Sequence, residues 1–538
     1  MRMDRFHRQR GLVDQRALMS TRVLISGSAD GVGELFVMLR QLGVGVIEPG
    51  SIGIVTTDQM PASVFWKLMY GEFGSWEDWR EQTTKGRCSV ELIPQGDIVR
   101  DDWDIHLTLE EENDMFGDVN GLVNGMCGIV TGSIPPLRNI GLGMHPIHAA
   151  MRTVVAATLV NEALKVIGIR NSIPVSEVWL TVSCRIETAD QQLARDHVRG
   201  VGGVLLDVSP SQDGLATIAR YRYPIEHDID TNELIAVEKQ EYALPEIIDV
   251  GFIPWDSDFQ HTGCEHSVEN EEIASPASNV SILGVGGLGS WATPLICQAL
   301  HGGVVNIIDG DDEIEMHNLN RQVLYREQDI GGAKATVAAS RLSELFPHLQ
   351  FNSFETFLRR AHVGEASEEG IDLNELFSDS EGENGVEDID EELRQALKTS
   401  QIYLGCLDNM QARTILNEVA LKSEMPMING GGESIHGVVE RLHDEGCMVC
   451  RYGTEVANAP EVISCTEEGA RPITSIVTTT AYVGAMMAAL TILELSGSII
   501  HHGMRYTWLD GISNQSQVCK PPWFDEPCIR HNLQEIVG

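Results

Sequence analysis

Between Ile282 and Ser290 the chain reads Ile-Leu-Gly-Val-Gly-Gly-Leu-Gly-Ser, and Asp309, Asn318-Leu-Asn-Arg-Gln322 and Lys334 follow. Gly284, Gly286, Gly287 and Gly289 allow a tight turn after a strand and a close backbone approach to phosphates, where free N–H groups and a helix dipole favour negative charge. Asp309 closes the apolar run Val304-Val-Asn-Ile-Ile308, the place at which an acidic residue binds ribose hydroxyls. A glycine loop by itself marks only strand-turn-helix packing. Arg321 and Lys334 add what a dinucleotide dehydrogenase does not need, cations aimed at a triphosphate. Downstream, Ile402-Tyr-Leu-Gly405 leads into Cys406-Leu-Asp408-Asn409, with Arg413 and Asn417 at helical spacing. A carboxylate at the C-terminal edge of a parallel strand can hold Mg²⁺ against phosphates; the other role open to Asp408 is that of a helix N-cap.

The thiols divide by spacing. Cys447-Met-Val-Cys450 and Cys528-Ile-Arg-His531 have the spacing of ligands to a structural zinc ion, with Cys519 as the alternative to His531. Cys465 stands in a polar loop, Ile463-Ser-Cys465-Thr-Glu-Glu-Gly-Ala-Arg-Pro472, where a thiol could attack an activated acyl group and hold it as a thioester. Glu467 and Glu468 would raise its pKa and Arg471 would lower it. Cys88, Cys127, Cys184, Cys264, Cys297 and Cys406 read as packing.

The elements that must position these residues occur twice. Arg5-Phe-His-Arg-Gln9 and a helix-like stretch to Ser20 precede the strand Val23-Leu-Ile25, a glycine turn over Gly27–Gly33 and a helical pattern from Leu35 to Leu42. The same plan recurs from Val280 to Leu300, and each half ends in a long apolar helix, His148 to Ile167 and Ile473 to Leu495, closed by Gly168 and Gly497. This is an internal duplication. The first glycine loop is one residue too long and no Asn-x-x-Arg-Gln cluster follows it, so the first half reads as scaffold. Residues 170–225 alternate like strands that extend the first sheet or form a small β element; 226–278, acid-rich, read as a connector. Gly364 to Glu392 cannot bury a core and reads as a solvated acidic insertion. The uncharged run from Ile473 to Leu493 is of membrane-spanning length, but it is rich in Thr, Ala and Gly and is met at once by Glu494, so a core helix is expected.

Length and charge bound the function. The 538 residues carry 38 Lys and Arg against 79 Asp and Glu, a net charge of −41, which repels nucleic acid and anionic membrane surfaces and leaves basic or neutral proteins as partners. Eleven cysteines without a leading apolar segment point to a reducing compartment and a cytoplasmic protein.

The order GxGGxGS, an Asp ending the next strand, NLNRQ, Lys, then Asp-Asn resembles the ThiF/MoeB/ubiquitin-activating superfamily of adenylating enzymes over residues 280–530. The resemblance implies an α/β fold of two tandem Rossmann-like adenylation-type domains forming an intramolecular pseudo-dimer. An inactive one would span 1–225 and an active one 279–538, the latter carrying the acidic insertion 364–392, a cysteine loop 451–472 and a zinc-binding tail. It implies that the four glycines cradle ATP, that Asn318, Arg321, Gln322 and Lys334 surround the triphosphate, and that Asp408, with Asn409, serves Mg²⁺. Arg8, with Arg5 as the alternative, would reach across the pseudo-dimer. One residue more than the family's Asp-to-Asn spacing leaves Asp309, Asp311 and Asp312 as candidates for the ribose. The family has two CxxC pairs where this chain has CxxC and CxxH. The expected activity is adenylation of the C-terminal glycine of a ubiquitin-like protein, thioester formation on Cys465 and transfer to a conjugating-enzyme cysteine, in the manner of compact two-repeat relatives from antiphage conjugation systems. Sulfur-carrier or peptide adenylation is the alternative, and a nucleotide-binding scaffold a third.

Overall fold

The computed structural model describes residues 3–9, 11–83, 88–94, 96–110, 117–124, 127–131, 147–167, 177–181, 204–210, 215–222, 235–243, 277–310, 313–358, 366–367, 370–371, 388–443, 447–449, 474–496, 506–510 and 515–519. The first sheet contains β1 (Arg22–Gly27), β2 (Ser51–Val55), β3 (Val90–Ile93), β4 (Ile105–Glu110), β5 (Val119–Asn124), β6 (Cys127–Thr131), β7 (Glu177–Thr181), β8 (Val204–Pro210), β9 (Leu215–Arg222) and β10 (Ile235–Ala243). With it go helices α1 (Gln15–Ser20), α2 (Ala29–Leu42), α3 (Val64–Tyr70), α4 (Trp76–Thr83) and α5 (His148–Val166). The second sheet contains β11 (Val280–Leu283), β12 (Val304–Ile308) and β13 (Gln350–Phe354), then, after the small ribbon β14 (Ala366–Ser367) and β15 (Gly370–Ile371), β16 (Ile402–Gly405), β17 (Met427–Glu433), β18 (His436–Leu442), β19 (Tyr506–Asp510) and β20 (Gln515–Cys519). Its helices are α6 (Gly289–Ala299), α7 (Lys334–Leu345), α8 (Asp388–Lys398), α9 (Met410–Lys422) and α10 (Val477–Leu495).

Both sheets are built to one plan. The first runs β3-β2-β1-β4-β5 and the second β13-β12-β11-β16-β17, parallel throughout these five strands, and each continues with an antiparallel neighbour, β6 or β18. Strand order reverses between β11 and β16, so the loops that leave their C-terminal ends open onto a common crevice, the place where doubly wound sheets bind ligands. The alternating stretch after residue 170 extends the first sheet through β7, β8 and β9, and β10, within the segment read as a connector, pairs antiparallel with β9. Helix α8 starts inside the acid-rich segment.

Two helices fill the centre. Helices α5 and α10 are buried on nearly all faces and pack on each other, α10 lying also against α6, β17 and β18; helices apolar all round belong in a core. By length and composition Val477–Leu495 could cross a membrane, but 94% of that window is buried inside the protein. Helix α3 of the first half is gripped by the second. Phe65 meets Trp291 with ring centroids 4.5 Å apart, and the Leu68 carbonyl accepts hydrogen bonds from Arg326 Nε at 2.9 Å and from Arg341 Nη1 at 3.4 Å.

Candidate nucleotide site

The glycine loop joins β11 to α6. Gly284 adopts φ +87°, and a Cβ there would lie 2.6 Å from the Cys406 carbonyl oxygen; a Cβ on Gly289 would lie 2.0 Å from that of Gly284. Neither position admits a side chain, because the obstacle in each case is backbone. Gly286 and Gly287, by contrast, are half-buried and reachable. Leu288 caps α6 without a side-chain hydrogen bond; within the first turn the Ser290 N–H donates to the Gly286 carbonyl at 3.1 Å and the Trp291 N–H to that of Leu288 at 3.0 Å. Asp309, at the end of β12, accepts the Val285 N–H through Oδ2 at 2.7 Å and so ties the loop to the neighbouring strand. The exposed ring of Phe357 packs against Gly310. Asp311 and Asp312 lie outside the described residues.

The cationic side is assembled from both halves. Arg321 is buried, and its Nη1 donates to the His317 carbonyl and to Asn320 Oδ1, both at 2.9 Å. Asn320 donates in turn to Gln9 Oε1 at 3.4 Å, and Gln9 donates to the Leu42 carbonyl at 3.0 Å. The N-terminal turn Met3–Gln9 thereby braces the residue that orients Arg321. Arg5 is committed to the same interface, with Glu327 Oε1 at 3.2 Å and the Leu319 carbonyl at 3.1 Å. Arg8 is half-buried, and its carbonyl accepts the Ser475 N–H at 2.7 Å, just before α10. Lys334 opens α7 and is buried. Asn318 is buried as well, its Oδ1 capping the turn at the Glu315 N–H, 2.8 Å away. Gln322 is 2% exposed, turns its amide nitrogen toward Gly286, and has no protein partner for Oε1.

One residue of this cluster was missed by sequence spacing. His317 lies within reach of the charges of Arg321, Arg8, Lys334 and His7; burial first, and then those charges, push its pKa down to about 4. Its position directly before Asn318 was the available signal, but nothing in the motif distinguishes it from a solvent-facing residue.

Asp408 is exposed at the end of β16. The N-cap of α9 is Asn409, whose Oδ1 accepts the Ala412 N–H at 2.7 Å, so the capping role considered for Asp408 falls to its neighbour and Asn409's oxygen is spent on the helix. A hard carboxylate oxygen beside the glycine loop fits Mg²⁺. Arg413 donates to the Leu407 carbonyl at 3.1 Å through Nε, which fixes the strand end that carries Asp408. Cys406 is buried against Met487, and burial raises its thiol to about 12, as befits packing. Of the residues assigned to zinc, Cys447 is buried, while Cys450, Cys528 and His531 lie outside the described residues, as does Cys465; for Cys519 only the backbone of β20 is described. Among the described residues no group of three or more His, Cys, Asp or Glu could hold a metal ion.

A mixed α/β protein with a phosphate-type loop at the switch point of a parallel sheet, an acidic residue ending the next strand and cations facing the loop is of the nucleotide-binding class. Residues 275–528 match the ThiF family. The chain is similar to the sulfur carrier protein ThiS adenylyltransferase of Escherichia coli (strain K12), 28% identical over 178 residues, which cover 32% of this chain and 58% of that protein. It is also similar to the adenylyltransferase and sulfurtransferase UBA4 of Meyerozyma guilliermondii, 27% identical over 192 residues, 35% of this chain and 37% of the relative. The match thus spans well under two thirds of the length of either relative. Among solved structures, E. coli MccB with ATP aligns at 19% identity and a TM-score of 0.33 over 46% of this chain and 65% of that one.

Proposed function

We propose that the chain adenylates the C-terminal carboxylate of a ubiquitin-like protein. The observation that carries this reading is the docking of the N-terminal turn that bears Arg8 onto the Arg321 segment, where Asn320 donates to Gln9 Oε1 at 3.4 Å and accepts from Arg321 Nη1 at 2.9 Å, next to a glycine loop tied to Asp309. In this reading Gly286 and Gly287 offer backbone N–H groups to the phosphates, Asp309 holds the ribose, and the two arginines and the lysine stabilise the charge that grows as pyrophosphate departs. Mg²⁺, held by Asp408, would supply further charge neutralisation at the phosphates. The carboxylate oxygen attacks the α-phosphorus, the bond to the α–β bridging oxygen breaks, and an acyl-adenylate results. The second half is then the active unit of a pseudo-dimer, and the first half, in whose loop Ser28 Oγ accepts the Gly31 N–H at 3.1 Å and caps α2, is its scaffold.

The finer steps belong to the same proposal. Cys465 takes the acyl group as a thioester, AMP leaves, and a conjugating-type enzyme's cysteine receives the group, in the cytoplasm; Cys447, Cys450, Cys528 and His531 would bind a structural zinc ion. A second reading, activation of a sulfur-carrier protein without thioester transfer, is favoured by what the relatives' names say they act on. Intact mass after incubation with Mg-ATP and ubiquitin-like proteins from the same cell, with and without reductant, separates the two. A reductant-sensitive adduct lost in Cys465→Ala supports thioester transfer. ATP–pyrophosphate exchange without any adduct supports the second reading, and no carrier-dependent exchange at all sinks both.

A further inference from the structure

A cavity of about 480 Å³ opens where the two halves meet, within the size range of small-molecule sites. One wall is the end of α3, with Lys67 and Leu68; the other is the turn Glu327–Asp329 and the face of α7 that carries Ser340 and Arg341. The glycine loop, Asp309, Arg321, Lys334 and Asp408 do not line it. Its lining holds Lys67, Arg326 and Arg341 against Asp329 and Glu344, a local excess of positive charge in a chain of net charge −41. The carboxylates do not serve the cations equally. Asp329 Oδ2 accepts from Arg341 Nη2 and from the Arg326 backbone N–H, so its charge is taken up by Arg341, while Glu344 is exposed. The half-buried Arg326 is left with a neutral acceptor: Nε and Nη2 both donate to the Leu68 carbonyl, which Arg341 Nη1 also approaches at 3.4 Å. Among the described residues Arg326 forms no ion pair, and its Nη1 has no acceptor. Burial, and then the charge of Arg341, push its pKa down. Lys67 pairs with Glu72 at 3.1 Å, but that carboxylate is 80% exposed and screened by water.

We propose that this cavity binds a small polyvalent anion, carboxylate or phosphate groups on a short carbon body, which gives Arg326 its missing counter-charge and joins α3 of the first half to α7 of the second. The open edge of the Arg326 guanidinium takes one anionic group by charge-assisted hydrogen bonding. Lys67, from the other half, takes a second, and this favours a ligand with more than one charge. Gln328 and Ser340 line the same space and can donate to the remaining oxygens. Leu68 and Val337 offer the carbon body an apolar wall. The site is separate from the nucleotide reading above and does not depend on it.

The test is calorimetric titration of the full chain, without nucleotide and at low salt, with citrate and separately with glycerol 3-phosphate. The parent should bind at least one probe saturably at one site, and the tighter of the two tells carboxylate from phosphate recognition. Lys67→Gln, which breaks only the exposed pair with Glu72 and should keep the parental urea midpoint, should weaken binding roughly tenfold, the loss of one charge-assisted hydrogen bond. Arg326→Lys, which keeps the charge and removes the fork, should weaken it at least as much. Lys334→Ala, which removes a cation of the nucleotide site, should leave it unchanged. No binding of either probe by the parent, or parental affinity in Lys67→Gln, overturns the proposal. Binding lost in Lys334→Ala shows that the anion enters the nucleotide site instead, and overturns it equally.

Discussion

Trp291→Phe tests whether the contact between the halves positions the site or merely packs. Trp291 is fully buried, its indole N–H donates to the Arg321 carbonyl at 2.8 Å, and its ring meets Phe65 of α3. Phenylalanine keeps an aromatic ring for Phe65 and removes one donor. A buried acceptor that loses its donor costs about 1–3 kcal/mol, and any residual cavity adds roughly 24 cal/mol per Å³. Arg321 is the residue whose backbone loses that donor and whose Nε would lie 3.9 Å from a Cβ placed on Gly287 of the glycine loop. If the cost falls on its placement, ATP–pyrophosphate exchange should drop in kcat/KM by roughly 5- to 150-fold, with a loss of only part of that free energy in urea unfolding. Exchange at the parental rate, accompanied by the whole cost in unfolding, would refute the positioning argument and leave Trp291 a packing residue.

Other outcomes follow from the same contacts. Arg8→Ala should abolish exchange with unfolding stability unchanged, whereas Arg5→Ala, which loses Glu327 and the Leu319 carbonyl, should cost about 1–2 kcal/mol in urea unfolding; the reverse pattern would exchange their roles. Glu34 of α2 is fully buried, and burial raises its carboxyl to about 8 against the opposing charge of Arg152. Arg152 Nε lies 3.8 Å from it while Nη2 reaches Asp30 at 3.4 Å, so the pairing with Glu34 is too weak to keep it ionised. Its folded-state value lies above the unfolded one, so its contribution to stability is complete below about pH 4.5 and is lost as pH rises through about 8. Glu34→Gln should therefore unfold at the same urea concentration as the parent in acid and at a higher one at pH 8.5; identical urea profiles at both pH values would show that Glu34 is ionised throughout. Phe357→Ala should raise KM for ATP by roughly tenfold, as loss of a stacking aromatic costs about 1–3 kcal/mol per base, and should leave tripolyphosphate binding untouched; an unchanged KM removes Phe357 from the site.

Much of this architecture was legible because its signals are local. The turn after β11 needs glycine wherever a side chain would strike backbone, and the doubling of strand, glycine turn and helix foreshadowed two sheets of one strand order. Strand β10 was not legible: its Glu, Lys and Gln at positions 238–241 read as solvated, and only pairing with β9 makes them a strand. Asp408 was open as a metal ligand or a helix N-cap, and the cap proved to be Asn409, whose extended backbone lets Oδ1 accept the Ala412 N–H.

By itself the sequence determined which side chains are available for chemistry and their order within the second half, because spacing along one strand-turn-helix unit translates directly into spacing in space. Tertiary structure alone decided which groups from the other half join them. Gln9 and Asn320 are 311 residues apart, and no periodicity carries over such a distance. The pairing of Arg5 with Glu327 and the surroundings that lower the pKa of His317, burial first, arise only when the N-terminal turn docks. Electrostatic surroundings depend on distance through space, and that distance is set by packing.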